Sequence, residues 1–81
     1  MKFNRSELIN IINPKIKNKT FIFYKVSEDN YNIFFDLIIK NGGIVKTILT
    51  KKIDFVITES VFDKNIEKIL VNKIDILHLI P

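Results

Sequence analysis

Several residue types that stabilise small proteins or supply their chemistry are absent or scarce in this sequence. None of its 81 residues is cysteine or tryptophan, and only two are glycine and two proline. Without cysteine, the chain can form neither a disulfide framework nor a cysteine-ligated zinc site. No apolar run approaches the ~20 residues that a membrane-spanning helix needs. We therefore expect no membrane partner and an intracellular protein, nuclear if the host is eukaryotic.

The composition provides enough apolar side chain for one small core. Hydrophobic residues make up 47% of the sequence, and a chain of this length forms a single domain at most. The formal net charge is +4, and almost all of the cations are lysines. This mildly basic balance permits a nucleic-acid partner but does not require one.

Three segments carry signals for helices. Asn4 stands three residues before Glu7, which is the spacing of a capping box, and Pro14 ends this first short helix. Ser27 is predicted to cap a second helix that ends near Asn41. A third helix is predicted over residues 60–72, since its apolar residues recur at helical spacing.

Four short runs rich in β-branched and aromatic residues alternate with the helices. They cover residues 20–24, 44–49, 53–57 and 74–79. The first run lacks polar alternation, which is typical of a strand buried on both faces of a parallel sheet. The element order α-β-α-β-β-α-β predicts an α/β fold with a parallel sheet and helices on both of its faces.

Gly42 and Gly43 stand side by side between the second helix and the second strand. Glycine ends helices in the left-handed conformation and lets a strand pass close to a helix. We therefore assign a structural role to Gly42 and Gly43, at the hinge between these two elements.

Four segments, each weak as a signal alone, follow one another in a recognisable order: residues 16–23, 42–45, 54–57 and 74–77. In this order they resemble the BRCT domain family over residues 17–79, with Asn18 where a glycine is usual. The resemblance implies a four-stranded parallel sheet flanked by helices, in the order 2-1-3-4 when the strands are counted along the chain. Residues 1–14 would form an extra N-terminal helix, and residues 15–81 the BRCT-like domain.

The same resemblance implies a non-catalytic interaction module in DNA repair or replication, of the kind attached to DNA ligases and polymerases. Such a module needs no cofactor and binds a partner protein or a DNA end. One departure from the family concerns its third helix, which carries a tryptophan that this sequence lacks. We predict that Leu8, Ile9 and Ile12 of the N-terminal helix pack in or near that place. A sheet face left uncovered would make a homodimer possible.

A second departure concerns phosphate binding. Family members that bind phosphopeptides carry Ser/Thr-Gly after the first strand and a lysine in the second family helix, but residues 24–27 read Tyr-Lys-Val-Ser. A weaker anion site remains the prediction, because helix N-termini and strand C-termini share one edge of a parallel sheet. Its candidate residues are Lys25, Ser27, Lys64 and Lys68.

Catalysis and metal binding have little support in the sequence. His78 is the single histidine, and catalytic triads and metal sites need several convergent groups. We therefore predict a structural role for His78, no enzyme activity and no metal. No acidic cluster marks the strand ends, which argues against a signalling receiver.

A nonspecific nucleic-acid surface is the alternative function. Lys15, Lys17 and Lys19 alternate before the first strand, and Lys51 and Lys52 lie in the turn between the second and third strands. Exposed lysines are also common on solvated surfaces that bind no ligand. If these five bind the nucleic-acid backbone, affinity should fall steeply as salt is added.

Overall fold

A computed structural model describes residues 1–60, 64–71 and 74–81. The predicted beginning and end of the third helix, at residues 61–63 and 72–73, lie outside the described residues. In chain order the elements are β1 (Lys2–Phe3), α1 (Arg5–Ile12), a 3-10 turn (Asn13–Lys15), β2 (Thr20–Tyr24), α2 (Glu28–Lys40), β3 (Ile44–Lys46), β4 (Phe55–Thr58), α3 (Lys64–Val71) and β5 (Asp75–Leu79). Within the described ranges, no helix is long and apolar enough to cross a membrane.

All strands belong to one parallel sheet in the order β1-β5-β4-β2-β3. The prediction of four strands is wrong, and the order of the whole sheet differs from 2-1-3-4, because β1 lies at one edge beside β5. Two residues are too few to show a strand periodicity in the sequence. The strand exists because it pairs with β5, in the register Lys2–His78, and because the Ile80 N–H donates to the Phe3 carbonyl at 2.7 Å.

The strands on either side of residues 47–54 are shorter than predicted. β3 ends at Lys46 instead of residue 49, and its register with β2 stops at the pair Ile22–Lys46. β4 begins at Phe55 instead of residue 53. Because β3 and β4 are parallel, residues 47–54 must return from the carboxyl end of one strand to the amino end of the other, and they cannot remain in the sheet.

The larger core cluster lies between one sheet face and the helices α1 and α2. Leu8 and Ile12 of α1 are fully buried there with Phe34 and Ile38 of α2, and Ile9 packs at the border of the cluster. The predicted packing of the N-terminal helix is therefore confirmed. The sheet contributes the buried side chains Phe21, Ile57 and Leu79.

A smaller cluster lies on the opposite sheet face. Ile53, Val56 and Ile74 are its buried members, and Ile22, Tyr24 and Ile76 pack against them. Helix α3 lies over this side, since the Asn65 Nδ2 donates to the Tyr24 hydroxyl at 3.2 Å. The sheet thus carries helices on both faces, as the alternation of elements predicts.

The two glycines have different structural roles. Gly42 has a φ of 81°, the left-handed conformation that ends α2. Gly43 instead lies where a Cβ would stand 2.6 Å from Ile38 Cγ2 and 2.8 Å from Ile16 Cγ2. Asn18 adopts a φ of 63° and donates its N–H to the Gly42 carbonyl at 3.0 Å. This bond connects the turn before β2 to the hinge.

Candidate anion-binding site

The carboxyl edge of the sheet gathers the residues predicted to bind an anion. β2 ends at Tyr24, Lys25 follows with a φ of 49°, and Ser27 occupies the N-cap position of α2. β4 is the parallel neighbour of β2, so its carboxyl end and the start of α3 at Lys64 lie on the same edge.

The N-terminus of α2 already holds a carboxylate from this chain. The Ser27 N–H donates to Glu59 Oε2 at 2.7 Å, and the Asn30 Nδ2 donates to the same oxygen at 3.1 Å. Ser27 stands at the predicted N-cap position, but its side chain makes no capping hydrogen bond to the helix. The prediction that its side chain caps α2 is wrong, because the Ser27 N–H and side chain both form hydrogen bonds with Glu59, which follows β4.

Asn30 links this carboxylate to α1. Its side chain is 5% exposed, and its Oδ1 accepts a hydrogen bond from Arg5 Nε at 2.8 Å. The chain Arg5–Asn30–Glu59–Ser27 therefore joins the first turn of α1, the first turn of α2 and the end of β4. Along the chain, Asn30 is 25 residues from Arg5 and 29 residues from Glu59. No local pattern in the sequence identifies these pairs.

Glu59 should make folding dependent on pH. Burial alone would raise its pKa, but hydrogen bonds from Ser27 and Asn30 outweigh burial and bring the pKa below its ordinary value of 4.5. A carboxyl whose pKa is lower in the folded state stabilises the fold above its unfolded pKa. That contribution disappears as the pH falls through the lower, folded value.

We expect Glu59→Gln to lose about 1 kcal/mol of unfolding free energy at neutral pH, because it weakens the hydrogen bonds that the carboxylate accepts from Ser27 and Asn30. The variant should also lose less stability than the unaltered protein between about pH 5 and pH 3. Urea denaturation across this range measures both effects, with Glu67→Gln as a control on an exposed residue of α3. An unchanged pH dependence in Glu59→Gln would contradict the assigned role of this carboxylate.

A surface cavity of about 280 Å³ opens beside Tyr24. The Lys25 Nζ lies over the Tyr24 ring, 5.4 Å from its centroid, and Lys68 of α3 borders the cavity together with Asn65. Its full lining is Ile22, Phe23, Tyr24, Thr47, Leu49, Asn65 and Lys68. Lys68 and Tyr24 therefore line the same cavity, and Lys25 lies over the Tyr24 ring without lining that cavity. Lys64 is exposed one helical turn before Lys68, and Ser27 is engaged with Glu59.

Of the lysines of the alternative nucleic-acid surface, three precede the amino end of β2, and two lie in the loop that returns from β3 to β4. All five, at positions 15, 17, 19, 51 and 52, are exposed. Thr20 and Asp54 hold the amino ends of β2 and β4 together through two hydrogen bonds, of 2.8 and 2.9 Å. Lys19 directly precedes Thr20, and Lys52 stands two residues before Asp54. The two lysine groups therefore precede neighbouring strands of the sheet.

His78 lies half-buried in β5. Its Nδ1 is buried and has no hydrogen-bond partner among the described residues. Burial and then the positive charges of the amino terminus and Lys2 lower its pKa below 6.5, while a backbone hydrogen bond with Ser60 opposes them. The imidazole is therefore neutral at pH 7. Within the described ranges, no group of three or more His, Cys, Asp or Glu side chains could hold a metal ion.

Sequence comparison relates part of the chain to a DNA-processing enzyme. Over 47 residues it is 38% identical to a DNA ligase of Mycoplasmopsis pulmonis (strain UAB CTIP). The match covers 58% of this chain but only 7% of the ligase. No family model and no solved structure matches the chain. The similarity fits the BRCT resemblance loosely.

Proposed function

We propose that the chain is a BRCT-like, non-catalytic binding module of a DNA-processing protein, and that it binds the phosphorylated end of a DNA strand beside Tyr24. The partial match to a DNA ligase supports a role on DNA. The parallel α/β sheet with helices on both faces supports the BRCT-like interpretation.

The observation on which this proposal rests is the pair of lysines around Tyr24. The Lys25 ammonium lies over its ring, and Lys68 borders the same cavity. Ammonium groups bind phosphate as point charges, and hydrogen bonds between charged groups are stronger than neutral ones. Asn65 and Thr47 add polar groups to the cavity wall, so one phosphate would meet both charge and hydrogen-bonding partners there.

The other walls of the cavity suit the sugar and base of a terminal nucleotide. Ile22 and Leu49 supply apolar surface, and the Tyr24 ring offers a flat face. Bases stack on such rings without sequence preference. With a volume of about 280 Å³, the cavity is at the lower end for ligand sites. It would therefore accept the end of a strand and not a longer stretch of duplex.

Glu59 explains why the phosphate would bind beside Tyr24 and not at the N-terminus of α2. Its carboxylate accepts the Ser27 N–H at 2.7 Å, and a second anion there would meet a like charge at close range. Of the four predicted anion-binding residues, we therefore propose direct contact for Lys25 and Lys68. Lys64 would attract the ligand from the surface, and Ser27 would have no contact with it.

We expect Lys68→Ala to weaken binding of a 5′-phosphorylated duplex about tenfold, because a charge-assisted hydrogen bond contributes about 1.5–3 kcal/mol. Fluorescence anisotropy with a labelled duplex measures the effect. A duplex with a 5′-hydroxyl end should bind the unaltered protein more weakly still, because it loses the contacts of both Lys25 and Lys68. Lys40→Ala is the matched control, since it removes an exposed lysine at the C-terminus of α2, whereas the candidate site lies near the N-terminus of that helix.

Other outcomes would assign a different function. Equal affinity for both duplexes, with a steep loss in salt, would favour the nonspecific surface of Lys15, Lys17, Lys19, Lys51 and Lys52. Phosphopeptide binding that disappears in Lys68→Ala, without DNA binding, would make the ligand a partner protein. Either result would reject the DNA end as the ligand.

A further inference from the structure

We infer that the outer edge of β3 binds an acidic, extended segment of a partner protein, which adds a strand to the sheet. We call this surface the β3 edge and define it as residues 44–52. It goes beyond the proposed DNA-end function, because a protein segment occupies it and because the outer side of β3 carries it, although Thr47 and Leu49 also line the cavity beside Tyr24.

The backbone of β3 has hydrogen-bonding groups directed away from the sheet. β3 is the last strand in the sheet order, with β2 as its neighbour. The Ile44 N–H donates to the Lys19 carbonyl at 2.9 Å, on the side of β2. Because successive residues of a strand direct their backbone groups to opposite sides, the N–H and carbonyl of Val45 face the outer side. They form the start of a ladder that an added strand can continue.

The β3 edge also exposes apolar side chains. Ile48 is 73% exposed and Ile44 is 45% exposed. A second cavity, of about 390 Å³, lies among Lys46, Thr47, Ile48, Thr50 and Lys52. The described residues that line it include no aromatic ring, so a nucleobase would find no stacking partner. Ile48, the threonine methyl groups and the lysine stems instead suit an aliphatic side chain.

The charge of the β3 edge selects the occupant. Residues 44–52 contain Lys46, Lys51 and Lys52 and no acidic residue. An extended partner that alternates Asp or Glu with aliphatic residues would place carboxylates near these lysines and an aliphatic side chain in the second cavity. A second copy of this chain would instead bring lysine against lysine, and lysines on edge strands discourage such self-pairing. Addition of a strand from another protein is an established mode of peptide recognition.

The test uses a labelled eight-residue peptide that alternates glutamate and valine. Fluorescence anisotropy should show saturable binding to the unaltered protein, and binding at least tenfold weaker to the double variant Lys46→Glu, Lys52→Glu and to Ile48→Asp. Lys15→Glu changes an exposed lysine outside the β3 edge and should alter the affinity less than twofold. Circular dichroism should show the same fold for all four proteins, since the three substituted lysines and Ile48 are exposed.

Two peptide controls isolate the backbone ladder and the charge. Because only alternate residues of an added strand direct their N–H groups to β3, one peptide is methylated at its valine amides and another at its glutamate amides. One of the two should lose binding, and so should a peptide in which lysine replaces every glutamate. Absence of saturable binding, or unchanged binding of both methylated peptides, would overturn the inference. A concentration-dependent dimer that disappears in Ile48→Asp would also overturn it, because the occupant would be a second copy. Lys68→Ala should bind the peptide normally, so failure of the DNA-end proposal is distinguishable from failure of this one.

Discussion

Leu8→Ala should lower the free energy of unfolding by about 2–5 kcal/mol, the range measured for truncation of fully buried leucines. Leu8 has no exposed surface and belongs to the same buried cluster as Phe34 and Leu79. Its methyl groups therefore fill space between α1, α2 and the sheet, and their removal leaves a cavity. For a small domain with marginal stability, this loss is a large part of the total.

Chemical denaturation followed by circular dichroism measures the loss. Ser6→Ala is the matched control, since Ser6 is an exposed residue of the same helix and its replacement should change stability by less than about 0.5 kcal/mol. If Leu8→Ala cost no more than Ser6→Ala, α1 would not belong to the core.

Gly43→Ala should destabilise the protein by about 1–3 kcal/mol through overpacking. The added Cβ would lie 2.6 Å from Ile38 Cγ2, 2.8 Å from Ile16 Cγ2 and 3.1 Å from the Ile38 carbonyl oxygen. Ile16 and Ile38 are both fully buried, so neither side chain can move away without disturbing its neighbours. The strand would have to shift away from the end of α2.

Gly42 provides the comparison that separates steric contact from backbone conformation. A Cβ there meets only Lys17 Cγ, at an ordinary 3.6 Å, but the φ of 81° is unfavourable for alanine. Asparagine tolerates this conformation better than alanine does. We therefore expect Gly42→Asn to be more stable than Gly42→Ala, whereas Gly43→Asn should be no better than Gly43→Ala. Equal stability of Gly43→Ala and the unaltered protein, in urea denaturation, would show that α2 and β3 are not in close contact at the hinge.

The sequence predicts the parts of the fold whose cause is local. Asn4 and Glu7 form the predicted capping box, with hydrogen bonds of 3.0 and 2.8 Å between residues three apart. The same kind of signal is misleading at Ser27, because this residue bonds to Glu59, 32 residues away, and its side chain makes no capping bond to α2. β1 is missed for a related reason, since its two residues become a strand only through contact with β5.

The residues of the candidate site also differ in whether the sequence predicts them. The BRCT resemblance directs attention to Lys68, which borders the cavity beside Tyr24. The carboxyl edge expected of a parallel sheet directs attention to Lys25, whose Nζ lies over the Tyr24 ring. No sequence pattern points to Asn30 or Glu59, because their place in the site depends on a hydrogen bond between segments 29 residues apart. The exposed β3 edge is equally unpredictable, because residues 47–49 have strand-forming side chains but lie beyond the end of β3.

The most direct test of the proposed function is an amide NMR titration with a 5′-phosphorylated duplex, repeated with a 5′-hydroxyl duplex. We predict saturable shifts at Tyr24, Lys25, Asn65 and Lys68 with the phosphorylated duplex, and none at these residues with the other. Shifts confined to Lys17, Lys19, Lys51 and Lys52, and equal for the two duplexes, would contradict the proposed DNA-end site.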